Sequence, residues 1–248
     1  MTVSVCIPAY NEGERLVKCA SVLYEKMNAL REREAWDFEL IFCDDGSTDD
    51  SFAALTEFSS DKPEIRLVGY PQNHGKGSAV REAVKSSVGD VVIFTDCDLA
   101  YGVDVIEKAV GAVKGGADVA AGSRNLTKGG YGEYSALRRF ASKIYIKVLS
   151  VLGGLHVSDS QCGFKAFDGD GARMIFSLCT CDGFAFDYEV LMIAEKLGKK
   201  ISGLPVTIVN HGSSSVSVIR DSIKMVKDVL KIKKRVSKLD LSEKGDAK

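Results

Sequence analysis

The feature that most constrains this chain is an alternation, repeated four times over its first half, of a short β-rich run and a longer stretch of helical periodicity. Runs at residues 3–7, 38–43, 65–69 and 91–95 are each followed by apolar residues at helical spacing, at 16–30, 52–58, 78–88 and 103–113. That rhythm predicts βαβ units and a mostly parallel sheet. Val91, Val92, Ile93 and Phe94 are apolar without interruption, as a strand covered by helices on both faces requires. The expected class is therefore α/β, doubly wound. In such sheets ligands collect beyond the carboxyl ends of the strands, so the residues just after each run are where chemistry is to be sought.

The second half is less regular. Residues 114–134 hold Gly115, Gly116, Gly122, Gly129, Gly130 and Gly132, and 128–134 reads as a mobile loop. A helix over 135–152, a turn at Gly153-Gly154, a strand over 163–167, a helix over 188–197 and a strand over 201–209 are expected next. From 219 to 238 the chain turns helical and basic, with Ile219, Ile223, Val226 and Leu230 at helical spacing among Lys224, Lys227, Lys231, Lys233, Lys234, Arg235 and Lys238. Such a helix either lies on an anionic leaflet or packs on the domain with a solvated face. The expected organisation is one domain over 1–215, the basic amphipathic helix over 216–240 and a disordered tail over 241–248.

Composition excludes several classes. The 33 basic and 34 acidic residues nearly cancel, so no global field recruits nucleic acid. Seven scattered cysteines, mostly inside apolar runs, fit reduced thiols in a cytoplasm better than a disulfide framework. Met1-Thr2 leads directly into the first strand, so no signal peptide is expected. No apolar stretch approaches the roughly 20 residues that span a bilayer. The expected location is cytoplasmic, with peripheral contact on the membrane face through the C-terminal helix.

Three strand ends carry the candidate chemistry. Asp96-Cys97-Asp98 follows the fourth run, and its two carboxylates offer hard oxygen ligands to Mg²⁺ or Mn²⁺. Asp44-Asp45-Gly46-Ser47-Thr48-Asp49-Asp50 follows the second; one carboxylate there caps the next helix, and a surplus one could accept from a base N–H or a ribose hydroxyl. Pro8-Ala9-Tyr10-Asn11-Glu12 follows the first, where Tyr10 offers a ring for stacking and Asn11 or Glu12 could simply start a helix. Asn73-His74-Gly75-Lys76-Gly77-Ser78 is not a nucleoside-triphosphate loop, since Tyr70 stands where its first glycine belongs and Gly77 follows the lysine. No strand is followed by G-x-G-x-x-G, which argues against a nicotinamide enzyme.

Taken in order, Pro8 to Glu12, Asp44-Asp45-Gly46-Ser47, Asn73 to Gly77, Asp96-x-Asp98 and Gly122-Ser123-Arg124 resemble the large inverting glycosyltransferase family of the GT-A fold, over about residues 3–170. Asp159-Ser160-Gln161-Cys162-Gly163-Phe164-Lys165 and Arg220-Asp221-Ser222 are similar to segments of the dolichyl- or polyprenyl-phosphate glucosyltransferases and, more distantly, the mannosyltransferases. The resemblance implies a Rossmann-like sandwich and a nucleotide-sugar donor. It implies a donor site of Pro8, Ala9, Tyr10, Glu12, Asp44 and Lys76, with metal on Asp96 and Asp98. It places the acceptor phosphate on Arg124, Arg138 and Ser142, and gives Asp96, Asp98, Arg124 and Asp159 as the catalytic set. Two departures stand out. Ala100 replaces a glutamine common in mannosyl relatives, which leans toward glucose, and Gly212-Ser213-Ser214-Ser215 lacks a lysine found in many relatives, with His211 nearby.

In an inverting transfer the enzyme aligns acceptor and donor and stabilises the departing diphosphate. A phosphate acceptor is already anionic and needs cations such as Arg124 and Arg138 rather than a strong base. A hydroxyl acceptor needs a carboxylate, for which Asp159 and Asp187 are candidates. The leading expectation is transfer of glucose from UDP-glucose to a polyprenyl phosphate. The alternatives are a soluble or polysaccharide hydroxyl acceptor, with the same donor or GDP-mannose, and a non-catalytic nucleotide-sugar-binding partner.

Overall fold

The four βα repeats expected from periodicity all form. The computed structural model describes residues 1–132, 136–155, 157–210 and 218–240, apart from the side chains of 136–138, 140, 141, 144, 145 and 218–224. In chain order the elements are β1 (Thr2–Ala9), α1 (Glu14–Glu34), β2 (Asp37–Asp45), α2 (Ser51–Phe58), β3 (Ile65–Tyr70), α3 (Lys76–Lys85), β4 (Val91–Thr95), α4 (Val105–Lys114), β5 (Val119–Ser123), α5 (Ala136–Gly153), β6 (Phe164–Asp168), α6 (Gly169–Leu178), α7 (Phe186–Lys196), β7 (Ile201–Pro205) and α8 (Val218–Ser237), with a 3-10 turn at Arg124–Leu126.

The strands form one seven-stranded sheet in the order β3-β2-β1-β4-β6-β5-β7. β1 pairs in parallel with β2 on one side and β4 on the other, so the crossovers diverge there and leave a crevice at the carboxyl ends of β1 and β4. β6 runs antiparallel to both neighbours, with Thr95 opposite Phe164 and Ala121 opposite Lys165. Its amino end therefore meets the carboxyl ends of the other strands, and the segment before it enters the crevice.

Strand alternation divides the core between the two faces. Val3, Val5 and Ile7 pack with Leu16, Leu23, Met27 and Ile106 on one face, whereas Cys6, Ile41 and Phe94 pack with Val80, Val84, Phe176 and Leu191 on the other. Phe94 lies 6.2, 6.3 and 5.5 Å, centroid to centroid, from Phe167, Phe176 and Phe186. Each such ring contributes roughly 1.5–3 kcal/mol by burial, and together they fix β4, which carries the aspartates, against α6 and α7.

The structure departs from the sequence expectations at three places. β5 and α6 were not anticipated. The strand expected over 201–209 ends at Pro205, because the next residues leave the ladder. The Val206 N–H makes a last bond to β5, at the Ser123 carbonyl (3.2 Å), after which that of Ile208 turns to Gly130 (2.9 Å) and that of Val209 to Ala100 (2.8 Å). His211, Gly212 to Ser215 and the tail 241–248 lie outside the described residues, as do the side chains of Arg220, Asp221 and Ser222.

Candidate active site

Asp96 and Asp98 stand at the end of β4, facing the segment that leads into β6. Gly163 makes the approach possible: a Cβ there would collide with Oδ2 of Asp96. Leu99 adopts a left-handed φ of 47°, a conformation that costs a non-glycine residue about 1–3 kcal/mol and persists only when its surroundings enforce it. The enforcement is visible. The Leu99 carbonyl accepts from the Gly102 N–H (2.8 Å) and from Nδ2 of Asn210 (2.9 Å), while Oδ1 of Asp98 accepts from the Ala100 N–H at 3.0 Å.

Charge around the pair is incompletely balanced. Lys76 places Nζ 2.5 Å from Oδ1 of Asp96, and Arg15 pairs with Glu12 at 3.0 Å. Burial, and then the charge of Asp96, hold the Asp98 carboxyl above the ordinary aspartate value despite the Ala100 N–H and Lys76. Glu12 is likewise raised, by burial first and then by Asp98 and Asp96, against the opposing pull of Arg15. Three acidic groups thus crowd one mouth. Among the described residues no set of three or more His, Cys, Asp or Glu side chains forms a closed metal cage. Two aspartates with unrelieved repulsion do suit Mg²⁺ or Mn²⁺, hard cations that usually take their remaining ligands from phosphate and water.

The rim beside this cluster is built from β1 and β2. Pro8 and Ala9, buried, close β1 opposite Cys43 and Asp44, and Tyr10 beyond them is 45% exposed with its ring free to stack. Asn11, at φ 51°, bridges to the next loop: its N–H donates to Oγ of Ser47 (3.0 Å) and its Oδ1 accepts from the Thr48 N–H (2.8 Å). The acidic run after β2 divides its labour. Asp49 accepts from the N–H groups of Gly13 and Ser51, and Asp44 receives the Ser47 N–H at 2.7 Å while staying half-buried. Asp45 is buried and accepts from the Tyr70 hydroxyl (2.7 Å), Nδ2 of Asn73 (2.9 Å) and the N–H groups of His74 and Gly75. It organises the loop that presents Lys76. Sequence reading had not singled it out, since an aspartate beside Asp44 carries no distinguishing mark.

Below Lys76 the charges continue inward. Asp187, at the start of α7 and buried, pairs with Nζ of the fully buried Lys165 at 2.6 Å, and Lys165 also donates to the Cys162 carbonyl at 2.8 Å. Burial raises the Asp187 carboxyl while Lys165 and Lys76 pull it down. A lysine in a strand buried on both faces was the available signal for this pair.

Arg124 and Asp159 meet on the far side of the crevice. Nε and Nη2 of Arg124 grip Oδ2 and Oδ1 of Asp159 at 2.7 and 3.0 Å, and the Arg124 and Gln161 N–H groups add bonds of 3.2 Å each. Asp159 is 1% exposed. Both of its oxygens are thus engaged, by Arg124 and by the Gln161 N–H. Arg124 also opens onto a cavity of ≈ 320 Å³ that Thr127, Lys128, Tyr131, Arg139 and Lys143 line. Oγ1 of Thr127 is buried without a partner. Ser142 is half-buried on α5, and the side chain of Arg138 lies outside the described ones. Of the charged residues that line this cavity, the sequence reading named Arg124 and did not assign Arg139 and Lys143, which share a helix face at the i, i+4 spacing.

Comparison with known proteins places these motifs. The sequence profile of glycosyl transferase family 2 matches residues 4–176. The chain is 34% identical over 238 residues to a dolichyl-phosphate beta-glucosyltransferase of Trichomonas vaginalis, covering 93% of this chain and 72% of that protein. Against the dolichyl-phosphate beta-glucosyltransferase of Mus musculus, identity is 32% over 248 residues, covering 94% and 75%. In structure it is similar to glucosyl-3-phosphoglycerate synthase from Mycobacterium tuberculosis, solved with Mn²⁺, UDP and phosphoglyceric acid. The TM-score is 0.67 at 20% identity, covering 97% of this chain and 80% of that one.

Proposed function

The chain belongs to glycosyl transferase family 2, and on that premise we propose that it moves glucose from UDP-glucose to a polyprenyl phosphate of the dolichyl class, with inversion at the anomeric carbon. The dolichyl-phosphate glucosyltransferases to which it is similar support the sugar and the acceptor. The observation that carries the acceptor chemistry is the state of the two base candidates. Asp159 and Asp187 are both buried and both committed to a cation, so neither is poised to deprotonate a hydroxyl. A phosphate oxygen needs no such help; it needs positive charge, and the cavity beside Arg124 offers Lys128, Arg139 and Lys143.

In this reading Tyr10 stacks on the base and Asp44 accepts from base or ribose. Asp96 and Asp98 would hold Mg²⁺ or Mn²⁺, which supplies neutralisation of the charge that gathers on the leaving diphosphate. Lys76, already at Asp96, adds a second positive charge beside the leaving group. Arg124, rigid against Asp159, presents its remaining edge and the Lys128, Arg139 and Lys143 charges to the acceptor phosphate, and Arg138 and Ser142 are assigned to the same phosphate. Burial opposes charge on Arg124, and Asp159 together with Tyr101 and Cys162 more than offsets it, raising the guanidinium above its ordinary value.

Peripheral contact with an anionic membrane completes the proposal. No helix among the described residues is long and apolar enough to cross a membrane. α5 exposes Val148, Val151 and Leu152, and α8 exposes Leu230 among the exposed Lys227, Lys231, Lys233 and Lys234, a combination that suits an interfacial surface. The test is incubation with labelled UDP-glucose, Mg²⁺ and dolichyl phosphate. Label in the lipid extract, dependent on the divalent ion, is expected. Transfer to a soluble acceptor in its place, or preference for GDP-mannose, would overturn the assignment.

A further inference from the structure

Helix α8 buries Val229, Ile232 and Val236 in the core, and hydrogen bonds fasten it to the domain at three described points. Lys233 donates from Nζ to the Leu152 carbonyl (3.0 Å), Lys196 of α7 donates to the carbonyls of Val236 and Ser237 (2.7 and 2.9 Å), and Arg235 pairs through Nη2 with Oε1 of Glu189 at 2.6 Å. The third fastening differs in what lies behind it. Glu189 is 0% exposed, and its carboxylate also accepts from the N–H groups of Thr180 and Cys181 (2.9 and 2.8 Å) and from the Thr180 hydroxyl (3.2 Å). It therefore holds the turn between α6 and α7 as well as α8.

That turn touches the loop that carries Lys76. The Gly77 N–H donates to the Asp182 carbonyl at 2.7 Å, and Nη2 of Arg81 on α3 reaches Oδ1 of Asp182 at 2.5 Å. The two backbones are in contact: a Cβ on Gly75 would fall 2.5 Å from the Asp182 carbonyl oxygen, and one on Gly77 would collide with that of Cys181. Lys76 lies between these two glycines, and its Nζ ends at Asp96. Slack remains at the joint. A cavity of ≈ 260 Å³ lies between α8 and the turn, lined by Thr180, Cys181, Glu189 and Arg235 among others, and Nε of Arg235 and Nη1 of Arg81 are buried without partners.

We propose that Glu189 and Arg235 are positioning residues for the donor subsite: the seating of α8 on Glu189 fixes the turn at Thr180–Asp182, which fixes the 75–77 loop and hence the reach of Lys76 to the diphosphate. The inference rests on the donor role given to Lys76 above. It gives α8 an effect on donor binding separate from membrane contact, carried by a contiguous chain of hydrogen bonds that is partly buried at Glu189.

The experiment measures UDP binding by calorimetry with Mg²⁺ present, alongside separate KM values for donor and acceptor, in Arg235→Met, Arg235→Lys and Lys233→Met. Arg235→Met should weaken UDP binding and raise donor KM roughly 2- to 30-fold, the span of such couplings, with acceptor KM unchanged. Arg235→Lys should recover part of the loss, and Lys233→Met, which loosens α8 away from Glu189, should leave UDP binding as in the wild type. Equal UDP affinity in wild type and Arg235→Met, or equal losses in Arg235→Met and Lys233→Met that follow melting temperature, would overturn the proposal. Hydrogen exchange on the unaltered protein gives an independent reading, because coupling is reciprocal: UDP should slow exchange at the Thr180 and Cys181 amides, and no slowing would count against it. A wild-type protein that binds no UDP would defeat the functional reading itself rather than this inference.

Discussion

Replacing Asp159 separates a clamp from a base. Its carboxylate takes four hydrogen bonds, two of them from the Arg124 guanidinium at 2.7 and 3.0 Å. The Arg124 side chain is only 11% exposed and that of Asp159 0%. Asp159→Ala would strand a buried cation, a change that costs about 3–5 kcal/mol. For a chain of this size each kcal/mol moves Tm by about 2–4 °C, so the variant should melt roughly 6–20 °C lower. Asp159→Asn keeps one acceptor oxygen but turns an amide N–H toward a guanidinium N–H, and an intermediate loss is expected. Thermal unfolding reads the first effect and initial rates read the second. A clamp predicts that Asp159→Asn raises acceptor KM, because Arg124 loses its aim, and leaves the pH profile of kcat unchanged. A general base predicts a loss of about 10²–10⁴ in kcat with the acid limb of that profile removed. Unaltered melting of Asp159→Ala, or a fall of that size in kcat with KM and Tm untouched, would refute the reasoning.

Three further outcomes follow from the same geometry. Asp98 has a folded-state pKa above its unfolded value, so its contribution favours the fold at low pH and is lost as pH rises through the folded value. Asp98→Asn should therefore melt above wild type at pH 7 without divalent ions, with the gap closing on acidification and reversing when Mg²⁺ is added; calorimetry across pH checks the order. Arg139→Ala or Lys143→Ala should raise acceptor KM about tenfold, leave donor KM alone and flatten the salt dependence of the rate. Gly163→Ala would press a methyl against Oδ2 of Asp96 at a cost of about 1–3 kcal/mol, and should weaken Mn²⁺ binding measured by electron paramagnetic resonance.

Much of the fold was legible because β1 to β4 and their helices keep the periods of strand and helix. β5 was not, and the reason is steric. Val119-Ala120-Ala121-Gly122-Ser123 lacks the bulky residues that mark a strand, since a Cβ on Gly122 would strike Sγ of Cys162 and the Phe164 carbonyl. Close packing erased the pattern that would have announced it. α6 is hidden similarly. It opens Gly169-Asp170-Gly171, a poor helical start, because a Cβ on Gly169 would run into the Gly89 carbonyl, and it is initiated by Asp168, whose carboxylate accepts the Gly171 N–H at 2.9 Å. At the site, motif order brought Glu12, Asp44, Asp96 and Asp98 to one crevice. Partnerships such as Arg124 with Asp159 and Lys165 with Asp187 depend on where β6 inserts, and no local spacing records that.

The antiparallel β6 also sets an order on assembly. β4 finds its outer neighbour only in a strand that begins at Phe164, so during synthesis its edge stays bare while α4, β5 and α5 are being made. A bare edge that is apolar from Val91 to Phe94 is a place where chains pair with one another. Nascent chains stalled or cleaved before Phe164 are thus expected to need holding by a chaperone, and to aggregate through β4 when released.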